Sequence, residues 1–354
     1  MINTLIVDDS PLARDIIRDF LEAGRDFKII GEAADGEDAI RKILSLDPDL
    51  VTLDIEMPQK NGLEVIEAVI KKTSVPIVVI TSNDTAKTAY EASLKGALEF
   101  YSKTTFTAAL SPEKRQEIYE TLKRISSIKA QKNRASAAAP VSSGEPKGPA
   151  APVRDFPPLK REIRAVVVAA STGGPKALSA FFSQLPGNFP LPIAVVQHNS
   201  SGFDKCFAQW LDSCTQLTVK LAEEGEAPKP GTVYIAMTDK HLELRRTNGE
   251  DCVFCYTDAE PDCNQKPAAN VLFRSAAESF GKSLVSIVLT GMGADGAAGT
   301  RNVREMGGIT LAQDEESSLI YGMPKAAAET GCVDIVLPLN KIPEELLKLL
   351  SFSF

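Results

Sequence analysis

Residues 165–175 read AVVVAASTGGP, an apolar run that ends on Ser171, turns through Gly173 and Gly174 and meets Pro175. Val166, Val167 and Val168 are consecutive and β-branched, which suits a strand buried on both faces of a parallel sheet. Ser171 then stands at the C-terminal end of that strand. The glycines permit backbone angles and close approaches that a Cβ forbids. Pro175 suits the first turn of a helix continuing through Ala177, Leu178, Phe181 and Phe182. A serine so placed sits over helix N-terminal N–H groups, where an oxyanion is stabilised. Alone, the stretch favours a phosphate-binding or purely structural glycine turn.

Two later stretches reverse that balance. Ile193 to Val196 form an apolar strand with His198 just past its end, and Leu284 to Leu289 form another, followed by Thr290-Gly-Met-Gly-Ala-Asp295-Gly296. Strand ends in one parallel sheet share an edge, so Ser171, His198 and Asp295 can meet. A serine hydroxyl needs an adjacent base, and that base needs a carboxylate to fix its tautomer and stabilise its cation. Singly, His198 reads as a satisfied strand-end histidine and Asp295 as a turn or helix cap. Three such residues at strand ends, two of them in Gly-rich turns, favour catalysis. The order Ser, His, Asp differs from those of α/β-hydrolases, trypsin-like and subtilisin-like enzymes. As a nucleotide loop the STGGP turn lacks both GxGxxG and Gly-Lys-Ser/Thr.

The chain of 354 residues is long enough for two domains, and its net charge of −8 argues against nucleic-acid binding. The N-terminus has no basic segment ahead of an apolar core, and no apolar run reaches membrane-spanning length. A cytoplasmic protein without membrane insertion is expected. Six scattered cysteines read as reduced thiols. Cys252 and Cys255, with Cys263 nearby, could suggest a metal, but residues three apart on a strand face opposite ways and no second CxxC completes a zinc set.

Residues 2–127 alternate strand and helix. Strands are predicted at 2–7, 28–33, 50–53, 77–80 and 98–101, with helices at 12–21, 36–46, 62–71, 85–94 and from Pro112 to about Ser127. This alternation predicts a doubly wound parallel sheet. Asp8, Asp9, Asp54, Thr81 and Lys103 all fall at strand ends. Three aspartates converging beside a lysine imply Mg²⁺ and an anionic ligand, because a buried carboxylate cluster needs a cation. Ala-, Pro- and Ser-rich sequence over 127–160 cannot offset its ordering entropy and reads as a flexible linker, with a span on the order of 30 Å.

Residues 2 to about 125 resemble the receiver domains of two-component response regulators. The resemblance implies a flavodoxin-like domain over 1–126 in which Asp54 accepts a phosphoryl group. Asp8, Asp9 and Asp54 would hold Mg²⁺ with the Glu56 backbone carbonyl, and Thr81 and Lys103 would grip the phosphoryl oxygens. Phe100 matches the switch aromatic. Thr104 stands where the family usually has a cis-proline, and Asn61 where aspartate is common.

ASTGGP at 170–175, QH at 197–198, LTGMGADG at 289–296 and YGMPKAA at 321–327 resemble the catalytic domain of the chemotaxis protein-glutamate methylesterases, as does the order receiver, linker, catalytic domain. The resemblance implies a Rossmann-like α/β methylesterase domain over 161–354 with Ser171 as nucleophile, His198 as general base then acid, and Asp295 orienting it. Met292 would supply an oxyanion N–H, and Thr172 would help place His198. The implied reaction removes methyl esters from glutamates of chemoreceptors and deamidates their glutamines. No cofactor is implied for the esterase. In this family the receiver covers the active-site face until a chemotaxis histidine kinase supplies the phosphoryl group. A receptor-binding scaffold without catalysis is the rival reading, against which the complete triad argues. Departures stand at Asn199-Ser200, Ala236-Met237 and Ala268-Ala269-Asn270, positions expected to line or support the substrate groove.

Overall fold

A computed structural model describes residues 1–81, 86–106, 110–137, 162–199, 202–247 and 251–351. The chain divides into two compact units, 1–147 and 148–354.

In the N-terminal unit, strands β1 (Ile2–Val7), β2 (Phe27–Ala33), β3 (Leu50–Leu53), β4 (Ile77–Thr81) and β5 (Glu99–Ser102) alternate with helices α1 (Pro11–Glu22), α2 (Gly36–Leu46), α3 (Gly62–Val69), α4 (Ala86–Lys95) and α5 (Pro112–Ala137). The sheet order is β2-β1-β3-β4-β5, with every pair parallel. Apolar runs such as Ile77–Ile80 are fully buried, as strands covered on both faces must be. Local side chains set the helix starts. Ser10 caps α1 through Ala13 N–H, Asp35 caps α2, and Asn61 forms a capping box with Glu64 at α3.

One expectation is corrected here. The last helix does not stop near Ser127 but continues to Ala137, so residues 127–137 of the expected linker are helical. The rest of that segment, through 160, lies outside the described residues. Lys103 and Thr104 begin a 3₁₀ turn, Lys103–Phe106, joined by a trans peptide.

The C-terminal unit is built on seven parallel strands in the order β14-β13-β12-β6-β7-β9-β8. These are β6 (Ala165–Ala170), β7 (Ile193–Gln197), β8 (Thr218–Leu221), β9 (Thr232–Ile235), β12 (Leu284–Val288), β13 (Ile309–Gln313) and β14 (Ile335–Leu337). Helices α6 (Gly174–Phe182), α7 (Asp204–Asp212), α8 (Ala269–Phe280), α9 (Ala297–Glu305), α10 (Met323–Glu329) and α11 (Ile342–Ser351) complete it. An antiparallel hairpin, β10 (His241–Arg246) with β11 (Cys252–Thr257), stands apart from this sheet. It is tied to α8 by Ser275 Oγ, which accepts from Leu244 N–H, and by Ser279 Oγ, which donates to the Leu244 carbonyl. Among the described residues no helix is long and apolar enough to cross a membrane.

The strand order reverses at β6. From it β7 lies on one side and β12 on the other, and that switch point is where doubly wound sheets open a crevice at the strands' carboxyl ends.

Candidate active site and phosphoacceptor site

Ser171 and His198 are the residues next to leave β6 and β7 at this crevice, and Thr290 follows Leu289 just past the end of β12. Ala170 pairs with Gln197, and the last rung between these strands is His198 N–H donating to the Ala170 carbonyl at 3.1 Å. Ser171 and His198 are therefore neighbours across one strand spacing. On the other side Ser171 N–H donates to the Thr290 carbonyl at 3.0 Å. A Cβ on Gly291 would lie 2.9 Å from the Ser171 Cβ and 2.3 Å from Met323 Sδ, so only glycine fits there. Gly173 opens α6 at φ +78°, the left-handed region expected for the turn, with Pro175 in the first helical turn.

His198 Nε2 lies 2.8 Å from Asp295 Oδ2. The Asp295 carboxylate, 1% exposed, also accepts backbone N–H bonds from Ala269 at 2.6 Å, Asn270 at 2.9 Å and Gly296 at 2.9 Å. The start of α8 thus presents its unpaired amides to a carboxylate acceptor. His198 Nδ1 is buried and has no hydrogen-bond partner, so the structure pairs His198 with Asp295 but draws no bond from Ser171 Oγ to the imidazole. In resting hydrolases such bonds commonly tighten only with substrate in place.

Met292 is half-buried, and its N–H has no hydrogen-bond partner among the described residues. Thr172 is buried, and its carbonyl accepts from Thr290 Oγ1 at 3.1 Å. The YGMPKAA segment braces this corner. Gly322 and Met323 N–H groups both donate to the Gly291 carbonyl, Ile320 N–H donates to Thr290 Oγ1, and Gln313 Oε1 accepts from Thr290 N–H.

Sequence reasoning passed over several supports. Asn270 Oδ1 accepts from both Gly296 and Gly299 N–H, joining the start of α8 to the start of α9. Buried His241 accepts at Nδ1 from Ala268 N–H and contacts the Glu260 carbonyl at Nε2. The departures at Ala268 and Ala269 thus act through backbone amides that any residue supplies, whereas Asn270 acts through its carboxamide as well as its N–H. Met237 N–H meets Tyr256 Oη, and Asn199 Nδ2 is buried without a partner. Cys252 and Cys255 alternate in burial along β11, while Cys263 Sγ lies 3.3 Å from Asn270 Nδ2.

At the carboxyl edge of the N-terminal sheet, Asp8, Asp9 and Asp54 present carboxylate oxygens within 4.8 Å of one another. Asp8 and Asp54 are buried and Asp9 is exposed. Lys103 Nζ sits 2.7 Å from Asp8 and 2.6 Å from Asp54. Burial raises the Asp8 pKa although Lys103 and the Ser10 N–H pull it down. For Lys103 burial works downward, and its two carboxylates prevail to raise its pKa. Hard oxygens of this charge and spacing fit Mg²⁺. Thr81 is buried at the end of β4, Glu56 N–H donates to Asp54 Oδ1 at 3.4 Å, and Phe100 is buried edge-on to Tyr90. Arg14 holds the Asp8 carbonyl at 2.7 Å and pairs with Glu32, fixing the acidic turn from behind.

Comparison with known proteins adds an independent line. A CheB methylesterase family model matches residues 166–346, and a response regulator receiver domain model matches residues 4–111. The chain is 37% identical over 360 residues to the protein-glutamate methylesterase/protein-glutamine glutaminase of Thermotoga maritima, covering 99% of this chain and 98% of that protein. The protein of the same name from Nitrosospira multiformis is 38% identical over 359 residues, covering 99% and 98%. The crystal structure of the Thermotoga maritima CheB methylesterase catalytic domain matches with 44% identity and a TM-score of 0.52, covering 53% of this chain and all of that one.

Proposed function

The chain belongs to the CheB methylesterase family, and from that premise we propose that it hydrolyses glutamate γ-methyl esters of chemoreceptors through an acyl-enzyme on Ser171. The observation that carries this reading is the His198–Asp295 pair, one strand spacing from Ser171, with His198 Nδ1 unpartnered. Nε2 faces Asp295, so Nδ1 is the nitrogen that takes the Ser171 proton as Oγ attacks the ester carbonyl. The tetrahedral oxyanion lies against the Met292 N–H. Collapse breaks the C–O bond to methoxide, which leaves as methanol with the proton from His198. Water, deprotonated in turn by His198, releases glutamate and restores Ser171. At a glutamine the same cycle releases ammonia. Asp295 stabilises the imidazolium in both halves, and Thr172 holds the turn beside it.

In the N-terminal unit Asp54 accepts a phosphoryl group from a histidine kinase, with Lys103 and Thr81 binding its oxygens. Asp8, Asp9 and Asp54, with the Glu56 carbonyl, would hold Mg²⁺. When bound, the cation neutralises charge on the transferring group. Ser171→Ala tests the esterase reading. With the fold retained by circular dichroism, methanol release from methylated receptors should fall by at least about 10³-fold. A folded mutant with near wild-type release would remove the mechanism.

A further inference from the structure

We propose that Gln197 is a positioning residue that fixes the serine-bearing and histidine-bearing strand ends relative to each other; this rests on the Ser171 and His198 roles above. Its side chain is 2% exposed. The carboxamide Nε2 donates to the Ser171 carbonyl at 3.0 Å and to the His198 carbonyl at 2.9 Å. The β6–β7 ladder ends at His198 N–H, one step short of those carbonyls. Beyond that rung the two N–H donors of one planar amide tie the reacting residues' own backbones together. Both partners are acceptors, which settles which end of the carboxamide faces them. Oε1 is left without a hydrogen bond, and it lies where a Cβ on Gly174 would sit, 1.9 Å away. Gly174 is thus the residue that admits the carboxamide, and Gly174 N–H in turn donates to the Ser171 carbonyl at 2.6 Å. Carbonyl and carboxamide close a small network around the nucleophile.

At 2% exposure the Gln197 side chain is shut off from a substrate in the crevice, so its loss should appear in kcat. An ångström of misplacement between reacting groups can cost about 10²-fold. Gln197→Met keeps the length and removes both donors. In full-length protein with phosphodonor, kcat for methanol release should fall at least about tenfold while KM for methylated receptor stays within about twofold. Labelling of Ser171 by a fluorophosphonate should slow in parallel. Gly174→Ala should reproduce that loss by expelling the carboxamide, yet add less in a Gln197→Ala background, where of the close neighbours only the Ala170 Cβ, 3.0 Å from the new Cβ, remains. Unchanged kcat per folded molecule in Gln197→Met overturns the proposal, as does an equal Gly174→Ala cost in both backgrounds. If Gln197→Met does not fold, Gln197→Glu, which keeps the shape but turns an oxygen on two carbonyls, is read by the same criteria. Retained methanol release and labelling in Ser171→Ala would instead sink the nucleophile assignment, an outcome distinct from either.

Discussion

At Asp8, burial works against ionisation. The side chain is fully buried, and desolvation, reinforced by the neighbouring Asp54 charge, raises its pKa despite Lys103 and the Ser10 N–H. An acid whose folded pKa exceeds its unfolded value of about 3.9 contributes stability below that pH and loses it as the pH rises through the folded value. Asp8→Asn cannot ionise, so in chelator at neutral pH it should raise the unfolding temperature of the N-terminal unit. The gain should shrink to nothing as the pH falls below about 3.9, where the wild-type carboxyl is also neutral. Calorimetry follows that transition, and the sole tryptophan, Trp210, reports on the other unit as an internal control. A wild-type unit more stable than Asp8→Asn at neutral pH without metal would show that the acidic cluster is not held at a cost. The same mutation should abolish Mg²⁺-dependent phosphorylation, so stability and function move in opposite directions at this residue.

The start of α8 shows how much of a site one element can carry and how little of it a sequence displays. Ser171, His198 and Asp295 were legible because each follows an apolar run too regular to be anything but a buried strand. Parallel topology then brings their ends to one edge. Asp8, Asp54 and Lys103 were legible for the same reason. Gln197 and Asn270 were not. Each reaches backbone groups 26 or more positions away, the Ser171 carbonyl for Gln197 and the Gly296 and Gly299 amides for Asn270, and a backbone group leaves no mark on a sequence. The hairpin β10–β11 was half legible: Cys252-Val-Phe-Cys255 reads as strand, but its attachment to α8 depends on Ser275 and Ser279. The linker was overextended because Ala and polar residues past Ser127 resemble a linker in composition, although they also have good helix propensity. Asn270→Ala removes the acceptor for Gly296 and Gly299 N–H while leaving its own N–H on Asp295. It should cost about 1–3 kcal/mol and lower kcat, because Asp295 sits inside the turn that Asn270 holds. Urea unfolding with Trp210 fluorescence measures the first effect. A change within error would mean that water replaces the carboxamide without strain.

Two units in one chain make regulation a question of how each affects the other's chemistry. Among the described residues the carboxylates grouped closely enough to hold a metal ion are Asp8, Asp9 and Asp54, all in the N-terminal unit. Chelation should therefore block phosphorylation of Asp54 and leave basal ester hydrolysis untouched. Loss of basal hydrolysis on chelation would place a metal in the catalytic unit and reopen the roles of Cys252, Cys255 and Cys263. The link between the units makes any contact between them intramolecular, so even a weak one can hold back the esterase at all protein concentrations. A phosphoryl group on Asp54 would replace the single carboxylate charge by about −1.5 to −2 beside Lys103, and Phe100 would respond if the unit switches. Should that switch weaken the restraint, deleting the N-terminal unit does the same permanently. A catalytic domain of this extent stands alone in the Thermotoga maritima crystal structure, so residues 162–354 make a reasonable test protein. Its turnover on methylated receptors should exceed that of the unphosphorylated full chain and be indifferent to phosphodonor, while Asp54→Asn in the full chain should remain at the basal rate. An isolated domain no faster than the unphosphorylated chain excludes inhibition by the N-terminal unit. Activation would then have to act by recruitment to receptors, visible as a phosphodonor effect on KM with kcat unchanged.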